Sequence, residues 1–285
     1  MIKKAGLTRI DAIVAAACVV FLFVNIGVIT AGGRARAKKE VCLANMKALT
    51  AGWQMYAEGN GGKLVNGMVS YGTSSGCPPS PSGLTGDTKA VPPTSSNSGH
   101  QYELPWVGPA FGDFFDTHQS QCAQMVAIDS GALWKYVKSY QIYSCPVGVK
   151  DEMITYSIID SMNGVNRGGT ATQAFWVKNI NTISKPSKRV VFFEEGQATP
   201  DSYAVYYTSE MWFDPPAVTH NDGTSVSFAD GHSEYWKWKA KETIDIAKSK
   251  IYSYRPVSRS AKQDLYRVQI GCWTRLGYTP SVPVE

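Results

Sequence analysis

The stretch HNDGTSVSFADGHSEYWKW, residues 220–238, predicts the core of the carboxy-terminal half. Residues 225–229 alternate small and larger apolar side chains, which is the period of a β-strand. Asp230-Gly231 is a strong hairpin-turn signal, and the aromatic-rich residues 234–238 return from it. The sequence therefore predicts an antiparallel hairpin as the nucleus of a sheet.

The same stretch and the strand predicted just before it, residues 189–195, also contain candidate metal ligands: His220, Asp222, Asp230, His232 and either Glu194 or Glu195. Asp222 and Asp230, with backbone carbonyls, suit calcium, which prefers oxygen ligands. The alternative is that both Asp-Gly steps are only turns and that His220 is a buried, hydrogen-bonded residue. Because no nucleophile signature, phosphate loop or zinc-helix motif occurs, we predict that the protein is not an enzyme.

Weaker patterns surround the hairpin. Residues 140–145 predict a brief strand that stops at Pro146, residues 240–250 a helix, and residues 262–273 one more strand. Residues 67–99 are dominated by Gly, Pro, Ser and Thr, so a flexible loop is expected there.

The amino-terminal part is predicted to be one long helix over residues 7–58. Residues 12–31 contain no charge and are long enough to cross a membrane; a cleaved secretory signal is the rival interpretation. Beyond this segment, apolar residues recur at steps of four and three, as on one face of a helix: Cys42, Met46, Leu49, Trp53 and Tyr56. The helix should end at the glycine-rich residues 59–62.

The cysteines indicate the redox state of the compartment, and the distribution of charge indicates which classes of partner are expected. Five of the six cysteines follow the apolar segment and are candidates for disulfides: Cys42, Cys77, Cys122, Cys145 and Cys272. Their wide spacing fits an oxidising compartment, with buried reduced thiols as the alternative. The net charge of +5 is scattered along the chain, so no nucleic-acid partner is predicted.

The amino terminus resembles the cleavage and methylation signal of type IV pilins and type II secretion pseudopilins. A short basic leader ends in Gly6, Leu7 follows, and Asp11 lies just inside the apolar helix. The resemblance implies that prepilin peptidase cuts after Gly6 and methylates Leu7. It also implies that Asp11 assists assembly, since a carboxylate at the edge of hydrocarbon needs a cation, such as a neighbouring subunit's amine.

The carboxy-terminal half resembles one subgroup of this family. His220, nine residues and then Asp230-Gly231 are similar to the H-X9-DG domain of prepilin-like proteins of planctomycetes. Stretches in the same order agree with the subgroup: Cys42–Leu49, Met55-Tyr56, Gly61–Leu64, Gly131–Tyr136, Tyr143–Pro146 and Tyr156-Ser157.

The resemblance implies an α+β, pilin-like fold in which a membrane-spanning helix packs on an antiparallel head domain. The expected parts are a leader (1–6), a filament-core helix (7–33), its amphipathic continuation (34–62) and an extracytoplasmic head (63–285). The implied function is a filament or pseudopilus subunit that polymerises with itself and with other pilin-like subunits, and that starts as an inner-membrane precursor. The alternative is a membrane-tethered metal-binding or adhesive head.

Overall fold

A computed structural model describes residues 9–68, 100, 103–108, 120–196 and 201–285, and the side chains of all of these except 9–31 and 123. Within these residues the fold is α+β, as predicted, with a four-stranded antiparallel sheet. The elements follow in the order α1 (Arg9–Gly59), α2 (Gln121–Ser130), β1 (Tyr156–Ile158), β2 (Val190–Glu194), β3 (Gly223–Phe228), β4 (Ser233–Lys237), α3 (Lys241–Lys248) and α4 (Arg259–Trp273).

Helix α1 is a single helix of 51 residues, close to the prediction for residues 7–58. The predicted apolar stripe is its buried face, because Cys42, Met46, Leu49 and Trp53 are fully buried and Tyr56 is nearly so. By contrast, the side chains of residues 32–38 are all exposed. The helix therefore changes from a solvent-exposed segment to a packed one near Cys42.

Two other predictions for the amino-terminal half fall on parts that are not described. The predicted membrane span, residues 12–31, lies in the part of α1 whose side chains are outside the described residues. In the part of the chain that the structure does describe, no helix is both long and apolar enough to cross a membrane. Residues 69–99 of the predicted loop also lie outside the described residues.

The sheet has the strand order β1-β2-β3-β4, and every neighbouring pair is antiparallel. The predicted hairpin is confirmed as β3 and β4, with Gly231 at the turn in a left-handed conformation (φ 97°). The strand predicted at residues 189–195 and the helix predicted at 240–250 are confirmed as β2 and α3.

Two predicted strands are wrong. Residues 140–145 contain a 3-10 helix, Tyr140–Tyr143, and residues 262–273 lie in α4. In α4 the buried residues Leu265, Val268 and Cys272 recur at helical steps, and Ser258 caps the amino end by accepting a hydrogen bond from the Ala261 N–H at 3.3 Å. The apolar residues of this segment follow a helical period, not the period of a strand.

Helices cover both faces of the sheet, so all six residues of β3 are buried. On one face, the Thr50 hydroxyl of α1 donates to Ser227 Oγ at 2.6 Å, and Cys42 Sγ lies 3.3 Å from Ser225 Oγ. On the other face, Gly271 of α4 lies so close to Val190 that a Cβ there would be 2.9 Å from its Cγ2. The small polar residues of β3 therefore face α1 rather than solvent.

Helix α1 runs along β3 in the same direction. Cys42 contacts Ser225, and further along the helix the Gln54 side-chain amide donates to the Ala229 carbonyl at 2.9 Å. As a result Cys42, the first buried residue of the described part of α1, lies near the start of β3 and the end of β2.

Candidate functional site

Four side chains meet at this position: Cys42, Cys145, Glu194 and His220. One ligand atom of each lies within 4.8 Å of the corresponding atoms of the other three. Cys42, Cys145 and Glu194 are buried, and His220 is partly exposed. Among the side chains that the structure describes, this is the one group of three or more Cys, His, Asp or Glu residues whose ligand atoms converge in this way.

Three of these side chains are positioned by regular elements or by local hydrogen bonds. Cys42 lies on the buried face of α1, and Glu194 is the last residue of β2. Cys145 follows the 3-10 helix Tyr140–Tyr143, and its N–H donates to Thr155 Oγ1 at 2.7 Å. The backbone of Cys145 is thereby tied to the segment that leads into β1.

His220 is positioned by an unusual turn. His220, Asn221 and Asp222 have φ values of 49°, 66° and 59°. Left-handed conformations cost non-glycine residues roughly 1–2 kcal/mol each, so neighbouring contacts must hold this run in place. The Tyr235 hydroxyl does so by donating to the carbonyls of His220, at 2.8 Å, and of Asn221. The turn brings His220 Nε2 to 3.1 Å from Cys145 Sγ.

Hydrogen-bond donors surround the sulfur and carboxylate atoms. The Tyr156 hydroxyl donates to Cys42 Sγ at 3.2 Å. Glu194 Oε2 accepts hydrogen bonds from Thr219 Oγ1 at 2.7 Å and from the Ser225 N–H at 3.1 Å, and it lies 3.7 Å from Cys42 Sγ. The second oxygen, Oε1, is buried and has no hydrogen-bond partner. Donors therefore satisfy Cys42 Sγ and Glu194 Oε2, whereas the second carboxylate oxygen is left unsatisfied.

The thiols and the carboxylate are electrostatically coupled. A hydrogen bond from Cys145 outweighs burial and lowers the pKa of the Cys42 thiol to about 5. The same interaction, together with burial, raises the pKa of Cys145. Burial raises the pKa of Glu194 to about 7, and the negative charge on Cys42 adds to this effect. The three acidic groups thus oppose one another's ionisation.

The calcium ligands suggested by the sequence are not brought together. Asp222 precedes β3 and Asp230 follows it, and six strand residues at about 3.3 Å each separate them by roughly 20 Å. Asp230 instead pairs with His232 at the hairpin turn, where Oδ1 lies 2.5 Å from Nδ1. The Asp222 carbonyl accepts a hydrogen bond from the Trp238 N–H at 2.9 Å, which closes the other end of the hairpin.

The sequence patterns indicate only part of this site. His220 and Glu194 are among the metal ligands that the sequence suggests, whereas Cys42 and Cys145 are predicted only as disulfide candidates. Glu195, the alternative to Glu194, accepts a hydrogen bond from Ser157. Cys42 and Glu194 are 152 residues apart, and Cys145 and His220 are 75 apart, so no short spacing signals the cluster. One sequence feature could have pointed to the cluster: Cys42, Cys145 and His220 each lie in a different one of the stretches that resemble the H-X9-DG subgroup.

The remaining predicted residues lie elsewhere. Cys272 is a buried free thiol, as are Cys42 and Cys145. Cys122 is disulfide-bonded. Cys77, Gly6 and Leu7 lie outside the described residues, and Asp11 lies in α1 at a position whose side chain is not described.

Four tryptophans bear on the adhesive alternative. Trp106, Trp212 and Trp236 are buried, and Trp176 is partly buried with its indole N–H donating to the Gly164 carbonyl at 2.9 Å. These residues serve core packing and do not form an exposed aromatic surface.

Comparison with protein-family models, with curated proteins and with solved structures finds no match to this chain. The resemblance to pilin-like proteins therefore remains a prediction from the sequence motifs.

Proposed function

We propose that this protein is a structural subunit of a type IV pilus-like filament or a type II secretion pseudopilus. The observation that carries the proposal is the division of α1 near Cys42. The segment that follows packs on an antiparallel sheet, whereas residues 32–38 have exposed side chains. A subunit that polymerises through its amino-terminal helix needs such a division between a projecting part and a part anchored to the head.

The amino-terminal sequence supplies the chemistry of assembly. Cleavage after Gly6 and methylation of Leu7 by prepilin peptidase would free an amino terminus for the carboxylate of Asp11 in a neighbouring subunit. Small residues of the apolar segment would allow helices to approach closely in the filament core: Ala15, Ala16, Ala17 and Gly27. The precursor would sit in the inner membrane with its head outside the cytoplasm.

Mass spectrometry of the mature amino terminus tests this proposal. In cells with active prepilin peptidase we expect a chain that begins with methylated Leu7, and in cells without the peptidase the uncut precursor. Gly6→Val should block cleavage, whereas Gly33→Ala, in the exposed part of α1, should be processed normally. An amino terminus at Met1 in peptidase-active cells, or a cut near Ala37, contradicts the proposal.

A membrane-tethered metal-binding head is the second candidate. The cluster of Cys42, Cys145, Glu194 and His220 favours it. The two roles are compatible, because the cluster lies in the head and at the first packed residue of α1.

A further inference from the structure

We propose that Cys42, Cys145, Glu194 and His220 bind one zinc ion, which joins α1 to the sheet. The proposal rests on the geometry of the head and is independent of whether the protein forms filaments. It assigns the metal to residues other than Asp222 and Asp230.

The donor set favours zinc over calcium. Two cysteine sulfurs, one imidazole nitrogen and one carboxylate oxygen are the ligand types that Zn²⁺ takes in four-coordinate sites, whereas calcium prefers six to eight oxygens. With both cysteines as thiolates and Glu194 ionised, bound Zn²⁺ leaves a single net negative charge. The ion would thus relieve most of the repulsion among three acidic groups that lie within 4.8 Å of one another.

The spacing of the donor atoms also fits. Zinc bonds of about 2.0–2.3 Å in a tetrahedron place neighbouring ligand atoms about 3.3–3.8 Å apart. His220 Nε2 and Cys145 Sγ are 3.1 Å apart, and Cys42 Sγ and Glu194 Oε2 are 3.7 Å apart. These two distances are close to those of a tetrahedral zinc site, and all four ligand atoms lie within 4.8 Å of one another.

Neighbouring groups donate hydrogen bonds to two of the proposed zinc ligands. The hydroxyl of Tyr156 points at Cys42 Sγ, and Thr219 Oγ1 and the Ser225 N–H point at Glu194 Oε2. Such hydrogen bonds orient metal ligands and balance residual negative charge. The buried Oε1 of Glu194 has no hydrogen-bond partner, and a cation bound by this carboxylate would compensate for its burial. Among the described residues, no lysine or arginine forms an ion pair with Glu194.

Two rival interpretations explain less of the geometry. A disulfide between Cys42 and Cys145 would leave a buried carboxylate and an imidazole beside it without a role. A catalytic group formed by Cys145, His220 and Glu194 would need a pocket that admits substrate. Cys145 and Glu194 are buried, and of this group only His220 is partly exposed to solvent.

A zinc ion here would have a specific mechanical effect. Cys42 is the first buried residue of the described part of α1, so a metal bond at this position fixes where the helix leaves the head. The other three ligands come from the sheet and from the loops that flank it. The ion would therefore tie the base of the projecting helix to the head.

The first test measures metal in the full chain, purified with a tag that contains no histidine and without chelators. Elemental analysis should find about one zinc per chain and no stoichiometric calcium. Replacement of zinc by cobalt(II) should produce sulfur-to-cobalt charge-transfer absorption and the visible bands of a tetrahedral site. Intact-mass and peptide mapping should show Cys42 and Cys145 as free thiols after the metal is removed.

Matched variants locate the ion. Cys145→Ser and His220→Gln should each lower zinc affinity by more than about tenfold, because even the loss of a hydrogen-bond partner of a ligand costs about 10–100-fold. Cys272→Ser removes a buried free thiol elsewhere, and His232→Gln removes the imidazole at the hairpin turn, so both should retain zinc. Zinc removal should lower the melting temperature of the wild type and of the two controls, but not that of the site variants.

Three results would overturn the proposal. One is a chain that contains no zinc and takes up none from added zinc chloride in the reduced state. Another is a Cys42–Cys145 disulfide in the protein as purified. The third is zinc that is retained by Cys145→Ser and His220→Gln but lost from His232→Gln. Because the wild-type measurements need no variant, poor folding of a variant leaves the test intact.

Discussion

Cys145 Sγ and His220 Nε2 lie 3.1 Å apart although 75 residues separate them in the chain. Cys145 follows a 3-10 helix, and His220 lies in a left-handed turn that the Tyr235 hydroxyl stabilises. Cys145 and His220 themselves lie outside the helices and strands. Their meeting therefore depends on the loops around the sheet, and changes to those loops provide tests of the site.

Because Asn221 lies in the left-handed turn, we expect two substitutions there to differ in their effect on the free energy of unfolding. Asn221 is exposed and has φ 66°, so mainly its backbone conformation matters. We expect Asn221→Gly to leave the free energy of unfolding unchanged or slightly higher, and Asn221→Val to lower it by about 1–2 kcal/mol. Urea denaturation checks this. Equal stabilities of the two variants would show that the turn is not left-handed in solution.

Two glycines of α1 should respond in opposite ways to alanine. A Cβ at Gly52 would lie 2.3 Å from Val137 Cγ2, whereas a Cβ at Gly33 would meet nothing within 4 Å. We expect Gly52→Ala to lower the free energy of unfolding by about 1–2 kcal/mol through overpacking, and Gly33→Ala to raise it by up to about 1 kcal/mol through helix propensity. Thermal melting of both variants measures the difference. A more stable Gly52→Ala protein would contradict the close packing of α1 on this loop.

We expect Glu103 to make a pH-dependent contribution to the free energy of unfolding. Burial alone would raise the pKa of Glu103, but hydrogen bonds from His100 and Asn163, both 2.9 Å long, and from Lys178 outweigh it and lower the pKa below its ordinary value of 4.5. A carboxyl whose pKa is lower in the folded state stabilises the fold at pH values above 4.5 and loses this effect as the pH falls.

We therefore expect Glu103→Gln to reduce the free energy of unfolding by about 1–3 kcal/mol near neutral pH. The difference from the wild type should shrink as the pH falls below 4.5. Urea denaturation over this pH range measures it. The exposed Glu58 provides the control, because Glu58→Gln should change stability little at any pH. A Glu103→Gln effect that stays constant as the medium is acidified would argue against the hydrogen-bonded carboxylate.

If the protein is a filament subunit, we expect substitution of Asp11 to affect filament assembly but not cleavage of the precursor. Asp11→Ala should still be cleaved after Gly6, but it should assemble few filaments, because the charge that attracts a neighbour's amino terminus is lost. Asp11→Glu keeps the charge and should assemble. Electron microscopy of sheared filaments, with mass spectrometry of the amino terminus, measures both steps. Normal filaments from Asp11→Ala would exclude this role for the carboxylate.

The elements predicted correctly are those with a local signal. The stripe from Cys42 to Tyr56 has a helical period, and residues 225–238 combine strand alternation with an Asp-Gly turn, so neighbouring residues suffice to specify α1 and the β3–β4 hairpin. The wrong secondary-structure predictions concern short apolar segments whose residues fit both the helical and the strand period. Residues 262–273 fit a strand as well as a helix until Ser258 is recognised as a cap.

The sequence by itself determined the long helix and the hairpin, because periodicity and turn chemistry act over a few residues. Only the tertiary structure decided which face of β3 meets α1 and that Cys42, Cys145, Glu194 and His220 share one site. The physical reason is that contacts between chain-distant residues depend on how loops close and how helices pack on the sheet. From the sequence, Cys42 is simply a core residue on the apolar face of a helix. Only the structure shows that the carboxylate of Glu194 and the imidazole of His220 lie beside it.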